Sequence, residues 1–344
     1  MRADKFNKGG LGTLIKIDSL QTKGSGFCDF YILFESFQVW IKTFRTYLEL
    51  IFVPTYLKML KQRLYLLMFA FVIANGAHAQ FNPTGTDYKL VWQEEFDQEG
   101  KVNSDLWTFE EGFKRNNELQ WYQEQNAVVL EGNLVITGKR EQVKNINFDV
   151  SSKDWRTNRE FAEYTSASIN TRGNYEFQYG IMEVRAKIDT ALGMWPAIWT
   201  LGITKPWPSN GEIDLMEYYR VNGDATILAN AAWADEGQYN AKWDDAKIPF
   251  IDFLKKDPDW PNKFHLWRME WTENSIKLFL DNELLNEVNL ARTVNPDGFN
   301  PFHQPHYILL NLAIGGNNGG DPTLSTFPGK YVVDYVRVYQ KEKK

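Results

Sequence analysis

The sequence predicts an all-β sandwich, and three observations carry that prediction. Short apolar runs recur between turn signals from residue 88 to residue 340, long helical periodicity is absent, and the chain holds 13 Trp, 16 Tyr and 23 Phe. Closely spaced short strands are the signature of a sandwich, whereas strands alternating with long helices would indicate a parallel sheet. In chain order the strand-like runs are Leu90 to Trp92, Leu134 to Thr137, Ala167 to Asn170, Tyr179 to Ile188, Ala197 to Leu201 and Ile213 to Tyr218. They continue with Ile227 to Trp233, His265 to Trp271, Ser275 to Leu280, His306 to Ala313 and Val332 to Tyr339. Phe250 to Lys255 has room for a helical turn or two. Two inserts, Gln142 to Glu163 and Gly237 to Asn262, read as surface loops. The first carries Trp155 and Arg156 and the second Trp243 and Trp260, and a single Trp from each can fold over the rim of a groove.

The stretch GEIDLMEYY, Gly211 to Tyr219, sets Glu212, Asp214 and Glu217 within six residues of one strand-like run. Side chains alternate along a strand with a period of two, so Glu212 and Asp214 share a face while Ile213 and Leu215 take the other. Strict alternation would put Met216 beside the acids and turn Glu217 away. One extra residue, a β-bulge, returns Glu217 to the face of Glu212, and bulges of this kind occur beside active sites. Retaining glycoside hydrolysis needs two carboxyl groups about 5–5.5 Å apart, one as nucleophile and one as proton donor. Like charges crowded on one face cannot all ionise cheaply, so one carboxyl keeps its proton for a leaving group. The competing reading is a solvated strand with acids on its outer face, and the flanking residues decide between the two.

Upstream of the acids lies GMWPAIWTLGITKPWPSNGE, with Trp195, Trp199 and Trp207. Sugar rings present flat apolar C–H faces, and indole offers a large rigid surface with one polar edge, so tryptophans along a groove suit carbohydrate. Core packing is the commoner role of any single Trp, and Trp199 is the member of the three best suited to it.

These residues carry a resemblance. The EIDLME string, the MWPAIW before it, NNELQWY at Asn116 to Tyr122, EGNLVITGKRE at Glu131 to Glu141, YGIMEVRAKI at Tyr179 to Ile188, LLNLAIGG at Leu309 to Gly316 and the terminal VDYVRVYQ together resemble glycoside hydrolase family 16. Within it they are most similar to the bacterial laminarinase-like endo-β-1,3- and β-1,3-1,4-glucanases, over a span from about Tyr88 to Gln340. The resemblance implies a β-jelly roll whose concave sheet forms an open substrate cleft. It implies Glu212 as nucleophile, Glu217 as acid/base and Asp214 as the partner that tunes the nucleophile. Substrate contacts are expected from Trp195, Trp199, Trp207, Trp121, Asn117 and Gln304. Asn230 and Trp233, on the strand after the acids, join them, although a regular strand would face those two opposite ways. A structural calcium away from the cleft is also implied, with ligands near Glu95, the carbonyl of Gly132, and Asp334. Hard oxygen ligands suit calcium, and waters would have to complete this set. Catalysis is expected to need no cofactor. The implied activity is hydrolysis of β-glucan polysaccharide; an agarase-like galactan hydrolase and a catalytically silent glucan-binding lectin are the alternatives on the same scaffold.

The N-terminal region needs separate treatment. MLKQRLYLLMFAFVIANGAHAQ, Met59 to Gln80, has Lys61 and Arg63, an apolar run from Leu64 to Ile73, and then Ala77-His78-Ala79, the pattern of a secretory signal cleaved after Ala79. Signal peptides begin at the N-terminus, so Met59 is the expected start. Residues 1–58 then read as upstream sequence, 59–79 as the signal peptide and 80–344 as one catalytic domain. Glu35, Lys42, Arg45 and Glu49 interrupt the earlier apolar stretch before it reaches the ~20 residues of a membrane span. A secreted or periplasmic monomer with no lasting membrane span is expected. The single cysteine, Cys28, lies upstream of the signal, leaving the mature chain without thiol, disulfide or lipid attachment. Losing residues 1–79 removes ten basic and five acidic residues of the 38 and 44 in the chain, which leaves a net charge of about −11. That balance disfavours nucleic acid and sulfated galactans as partners.

Other patterns carry little chemistry. His265, His303 and His306 lack metal-ligand company and read as structural. The run GGNNGGD, Gly315 to Asp321, lacks the lysine and spacing of a phosphate-binding loop and reads as a loop after a strand.

Overall fold

Every run read from the sequence as a strand falls on or overlaps one in the computed structural model, which describes residues 87–237 and 239–342. The expected signal segment 59–79, the upstream residues 1–58 and Cys28 lie outside the described residues. In chain order the strands are β1 (Tyr88–Glu94), β2 (Thr108–Phe109), β3 (Gln120–Tyr122), β4 (Ala127–Leu130), β5 (Asn133–Lys144), β6 (Phe161–Ser166), β7 (Ser168–Asn170), β8 (Gly180–Lys187) and β9 (Met194–Gly202). They continue as β10 (Glu212–Val221), β11 (Asp224–Ala234), β12 (Ala241–Pro249), β13 (His265–Trp271), β14 (Ser275–Leu280), β15 (Glu283–Asn289), β16 (His306–Ile314) and β17 (Gly329–Lys341). A short helix α1 (Phe250–Lys256) follows β12, and a single turn α2 (Gly316–Gly319) follows β16.

Two sheets form a β-jelly-roll sandwich. One has ten strands in the order β15-β14-β13-β8-β17-β5-β6-β3, with β1 also on β17 and β4 also on β5. The other has seven, in the order β12-β11-β10-β9-β16-β7-β2. The parallel pair β3 and β6 is the exception to an antiparallel pattern. Between the sheets lies a core whose largest buried side chains include Trp107, Trp267, Trp271, Tyr218, Tyr331 and Phe302.

Period-two alternation sorts the seven-stranded sheet into a core face and an outer face. On β16, Ile308, Leu310, Leu312 and Ile314 enter the core, while Tyr307 and Leu309 belong to a separate cluster on the other face. On β9, Met194 and Ile198 go inward and Ala197 and Trp199 outward. Each fully buried Leu, Ile or Phe contributes about 1.5–3 kcal/mol, so this sorting fixes the register of every inner strand.

The inserts depart from expectation. Ala241–Pro249, read as loop, is the edge strand β12, paired with β11 from Ala234↔Ala241 to Thr226↔Pro249. Its Lys and Asp residues weaken the strand signal, and charged side chains are characteristic of sheet edges. Trp260 is a core residue stacked 3.8 Å from His265, and the expected helical turns are α1. The glycine run contains the turn α2 rather than loop alone. Among the described residues, no helix is long and apolar enough to cross a membrane.

Candidate active site

The acids are brought together by the bulge that their spacing demands. Asp214 pairs with Trp199 on β9 and Met216 with Ile198, leaving Leu215 extra; on the other side Asp214 pairs with Asn230 and Glu217 with Leu228. Leu215 and Met216 therefore both enter the core. Glu212, Asp214 and Glu217 line one cleft of about 880 Å³ on the outer face of the seven-stranded sheet.

Each carboxyl has its own partners. Trp207 donates its indole N–H to Glu212 Oε2 at 2.7 Å. Trp195 donates to Glu217 Oε1 at 3.0 Å, and Asn230 Nδ2 to Glu217 Oε2 at 3.4 Å. Asp214 is buried at 1% exposure, and its Oδ2 meets no donor. Burial, followed by the charges of Glu212 and Glu217, raises the Asp214 carboxyl well above its ordinary range. A proton on Asp214, donated to Glu212, satisfies both groups. Burial raises the Glu212 carboxyl as well, against the hydrogen bonds from Trp207 and Asp214 and the charge of Arg115, which lower it. Burial and then the charge of Glu212 push Glu217 up to about 8, so it is protonated at neutral pH. Burial thus raises all three crowded carboxyls and keeps a proton on Glu217.

The floor beside the acids is built around Trp199. Suited to the core as a single Trp but expected from the resemblance as a substrate contact, it belongs to the cleft face, where it packs with Ala197, Tyr307 and Leu309. It is 7% exposed because it is held from the side, its indole N–H donating to Asn311 Oδ1 at 2.7 Å. The Arg115 guanidinium lies 5.0 Å from its ring centroid. Arg115 pairs with Glu110, which also accepts from Ser168 Oγ at 2.6 Å. Burial raises Glu110, yet Arg115 and Ser168 outweigh it and hold this carboxyl low. Glu118, also in the cleft wall, accepts from Gln120 Nε2 at 2.7 Å and is pushed by burial to about 7.

Several expected contacts lie elsewhere. Trp233 points into the core, as parity requires once Asn230 faces the acids. Trp121 packs in a satellite cluster with Phe113 and Ala162, and Trp155 leans on that cluster rather than over the rim. Its neighbour Arg156 does line the cleft. Gln304 is buried as a tie, accepting from Thr204 N and Oγ1 and donating to Asn210 O at 2.8 Å. Asn117 is exposed and donates to Asn317 Oδ1 at 3.1 Å, whereas the neighbouring Asn116 lines the cleft. Trp195, Trp207 and Asn230 stand in the cleft as expected, and Trp243, from the second insert, joins them.

The implied calcium ligands are engaged otherwise. Glu95 accepts two hydrogen bonds of 2.7 Å from Arg337, and Asp334 is paired with Arg185. Among the described residues no three acidic, His or Cys side chains cluster as a metal site. With a guanidinium on each carboxylate, this donor set does not fit calcium. The histidines are structural: His265 bonds Asp281 and Trp260 O, His303 bonds Glu273 O, and His306 lies buried between Thr200 and Pro301 O.

Arg115, Glu118, Tyr307 and Asn311 were not singled out as contacts by sequence reasoning. Asn311 had a signal, as the lone polar residue in the apolar run of β16, and so had Glu118, an acid beside buried aromatic neighbours.

Comparison with known proteins shows the family. The chain is 33% identical to a beta-glucanase of Rhodothermus marinus over 74% of this chain and 85% of that protein. Two further curated relatives are longer, the chain spanning 39% and 34% of their lengths. The laminarinase catalytic domain of Thermotoga maritima superposes with a TM-score of 0.62 at 30% identity, covering 75% of this chain and 100% of that one. A structure from work on endo-acting O-glycanases, expressed by prominent members of the human gut microbiota to initiate mucin breakdown, superposes with a TM-score of 0.67 at 33% identity, covering 75% and 92%. The profile of Glycosyl hydrolases family 16 matches residues 115–337, a span that contains all three cleft acids, and the chain belongs to that family of glycoside hydrolases.

Proposed function

We propose that the chain is a secreted, endo-acting, retaining β-glucanase that cleaves β-1,3-linked or mixed-linkage β-1,3-1,4-glucan. The observation that carries the reading is a pair of glutamates on one face of one open cleft, Glu212 held by the indole N–H of Trp207 and Glu217, pushed up to about 8, held by that of Trp195. Glu212 attacks the anomeric carbon, the glycosidic C–O bond breaks, and Glu217 transfers its proton to the departing oxygen. Glu217, now a carboxylate, takes a proton from water as that water attacks the same carbon, which releases Glu212 and a product of unchanged anomeric configuration. Asp214 and Trp207 both hold Glu212 in place with hydrogen bonds. The beta-glucanase and laminarinase relatives support the substrate class.

The likeness to the O-glycanase structure favours a second reading, a mucin glycan on the same scaffold. Laminarin, barley glucan, agarose and mucin glycans assayed side by side, with the anomer of the first product followed by NMR, test both. Cleavage of the first two with retention supports the glucanase; cleavage of the last two alone would replace it. Secretion rests on the segment 59–79, and a mature N-terminus at Gln80 in peptide mass spectrometry is its test.

A further inference from the structure

Two rows of side chains cross the cleft floor perpendicular to the strands. Leu201, Glu212, Ala232 and Trp243 form one, and Trp199, Asp214, Asn230 and Asp245 the next. Trp243 therefore stands in the row of the nucleophile, two strands beyond it and on the side opposite Trp199. Two strand spacings amount to roughly 10 Å, and the residue between is the small Ala232. The floor there is a trough with an indole at its far end.

Trp243 differs from the other cleft tryptophans in having no work inside the protein. Trp195 and Trp199 are 4% and 7% exposed and hydrogen-bonded, whereas Trp243 is 45% exposed and, among the described residues, its indole N–H meets no protein acceptor. Scattered exposed apolar residues are ordinary, but this one lies within the cleft wall. Its backbone is held firmly. Asn286 on β15 donates to Ala229 O at 3.0 Å and to Asp244 O at 3.4 Å, tying β12 and β11 from below. The ion pair of Lys247 with Asp245 sits along the same face and offers polar groups to hydroxyls at the edge of the indole.

We propose that Trp243 is the stacking platform of a further subsite, which takes a β-linked glucosyl residue of the chain on the side of the acids away from Trp199. This rests on the glucanase reading for the identity of the sugar. A chain reaching from Trp199 across the acids to Trp243 is cleaved internally, which gives endo action a structural basis.

The test compares wild type, Trp243→Ala and Trp243→Phe on a size ladder of oligosaccharides made from whichever polymer the wild type degrades. For each length kcat/KM is measured and the cleaved bond mapped on end-labelled ladders. Affinities in a Glu217→Gln background give the same comparison without turnover. Trp243→Ala should penalise long oligosaccharides about three- to tenfold more than short ones and shift the preferred bond, and Trp243→Phe should recover most of the loss. A fold-loss equal at every length with an unchanged bond preference overturns the subsite. Degradation of agarose but not of glucans would instead overturn the glucanase reading while leaving the length comparison intact.

Discussion

The indole N–H of Trp195 donates to Glu217 Oε1, so the carboxyl that burial and Glu212 push up to about 8 also receives a hydrogen bond favouring its ionised form. Burial prevails, and Glu217 stays protonated through neutral pH. Since kcat/KM reports the free enzyme, its alkaline limb should fall with an apparent pKa near 8. Trp195→Phe removes the donor and should move that limb to higher pH. A pH–rate profile in which the limb stays put or moves down would show that another group sets it.

The same protonation carries a cost in stability. Glu217 binds a proton in the folded protein at pH values where the unfolded chain, with a carboxyl near 4.5, has released it. Stability contributed by this site is thus greatest below pH 4.5 and declines as pH rises towards 8. Glutamine does not titrate. Glu217→Gln should therefore melt above wild type at pH 8, by something on the order of 5 °C, with the gap closing towards pH 4. Thermal melts at the two pH values decide it, and a gap that widens in acid would contradict the assignment.

The bulge was legible because Leu215 and Met216 are consecutive apolar residues between acids, a sequence that regular alternation cannot place on two clean faces. Trp199 was less legible. A buried tryptophan in a sandwich can lie on either face of its sheet, and only the pairing of Trp199 with Asp214 shows that it shares the face of the acids. Trp233 failed for the same reason in reverse, since one contact partner, Asn230, already claimed the cleft side. Gln304 and Asn117 are polar residues near the site in sequence or in space whose hydrogen bonds go to the protein itself, a distinction that composition does not encode. Strand β12 was hidden because an edge strand buries little and can be rich in charge.

The roles of the two glutamates separate under chemical rescue. Glu212→Ala leaves a space on the nucleophile's side, so azide should restore turnover of an activated β-glucoside with inversion. Glu217→Ala should stay slow on glucan but recover with a leaving group that needs no proton, azide then giving a β-glycosyl azide with retained configuration. Product stereochemistry by NMR is the measurement, and the opposite pattern would exchange the roles.

Glu95 and Asp334 are already bound to Arg337 and Arg185, so stability should not depend on calcium. Melting temperature should be the same in EDTA and in excess calcium. Arg337→Ala, in contrast, leaves Glu95 without its partner and should cost about 1–3 kcal/mol. A melting temperature that drops with EDTA would mean that an ion is held by other donors.

Trp199 and Trp233 lie on neighbouring parts of one sheet but on opposite faces, which makes them a matched pair. Trp233→Ala opens a cavity in the core and should cost about 3–5 kcal/mol of stability. At a fixed folded fraction its affinity for oligosaccharide should be unchanged, because the side chain does not reach the cleft. Trp199→Ala removes the surface beneath Arg115 and the donor to Asn311, both on the cleft side. It should lose on the order of 1 kcal/mol of sugar binding, with a smaller loss of stability than Trp233→Ala because the space it leaves opens to water rather than to the core. Denaturant melts and oligosaccharide titrations of both variants give the comparison. If Trp199→Ala keeps full affinity, then Trp199 supports the cleft without touching sugar, and the ring contacts on that side fall to Tyr307, which packs against it.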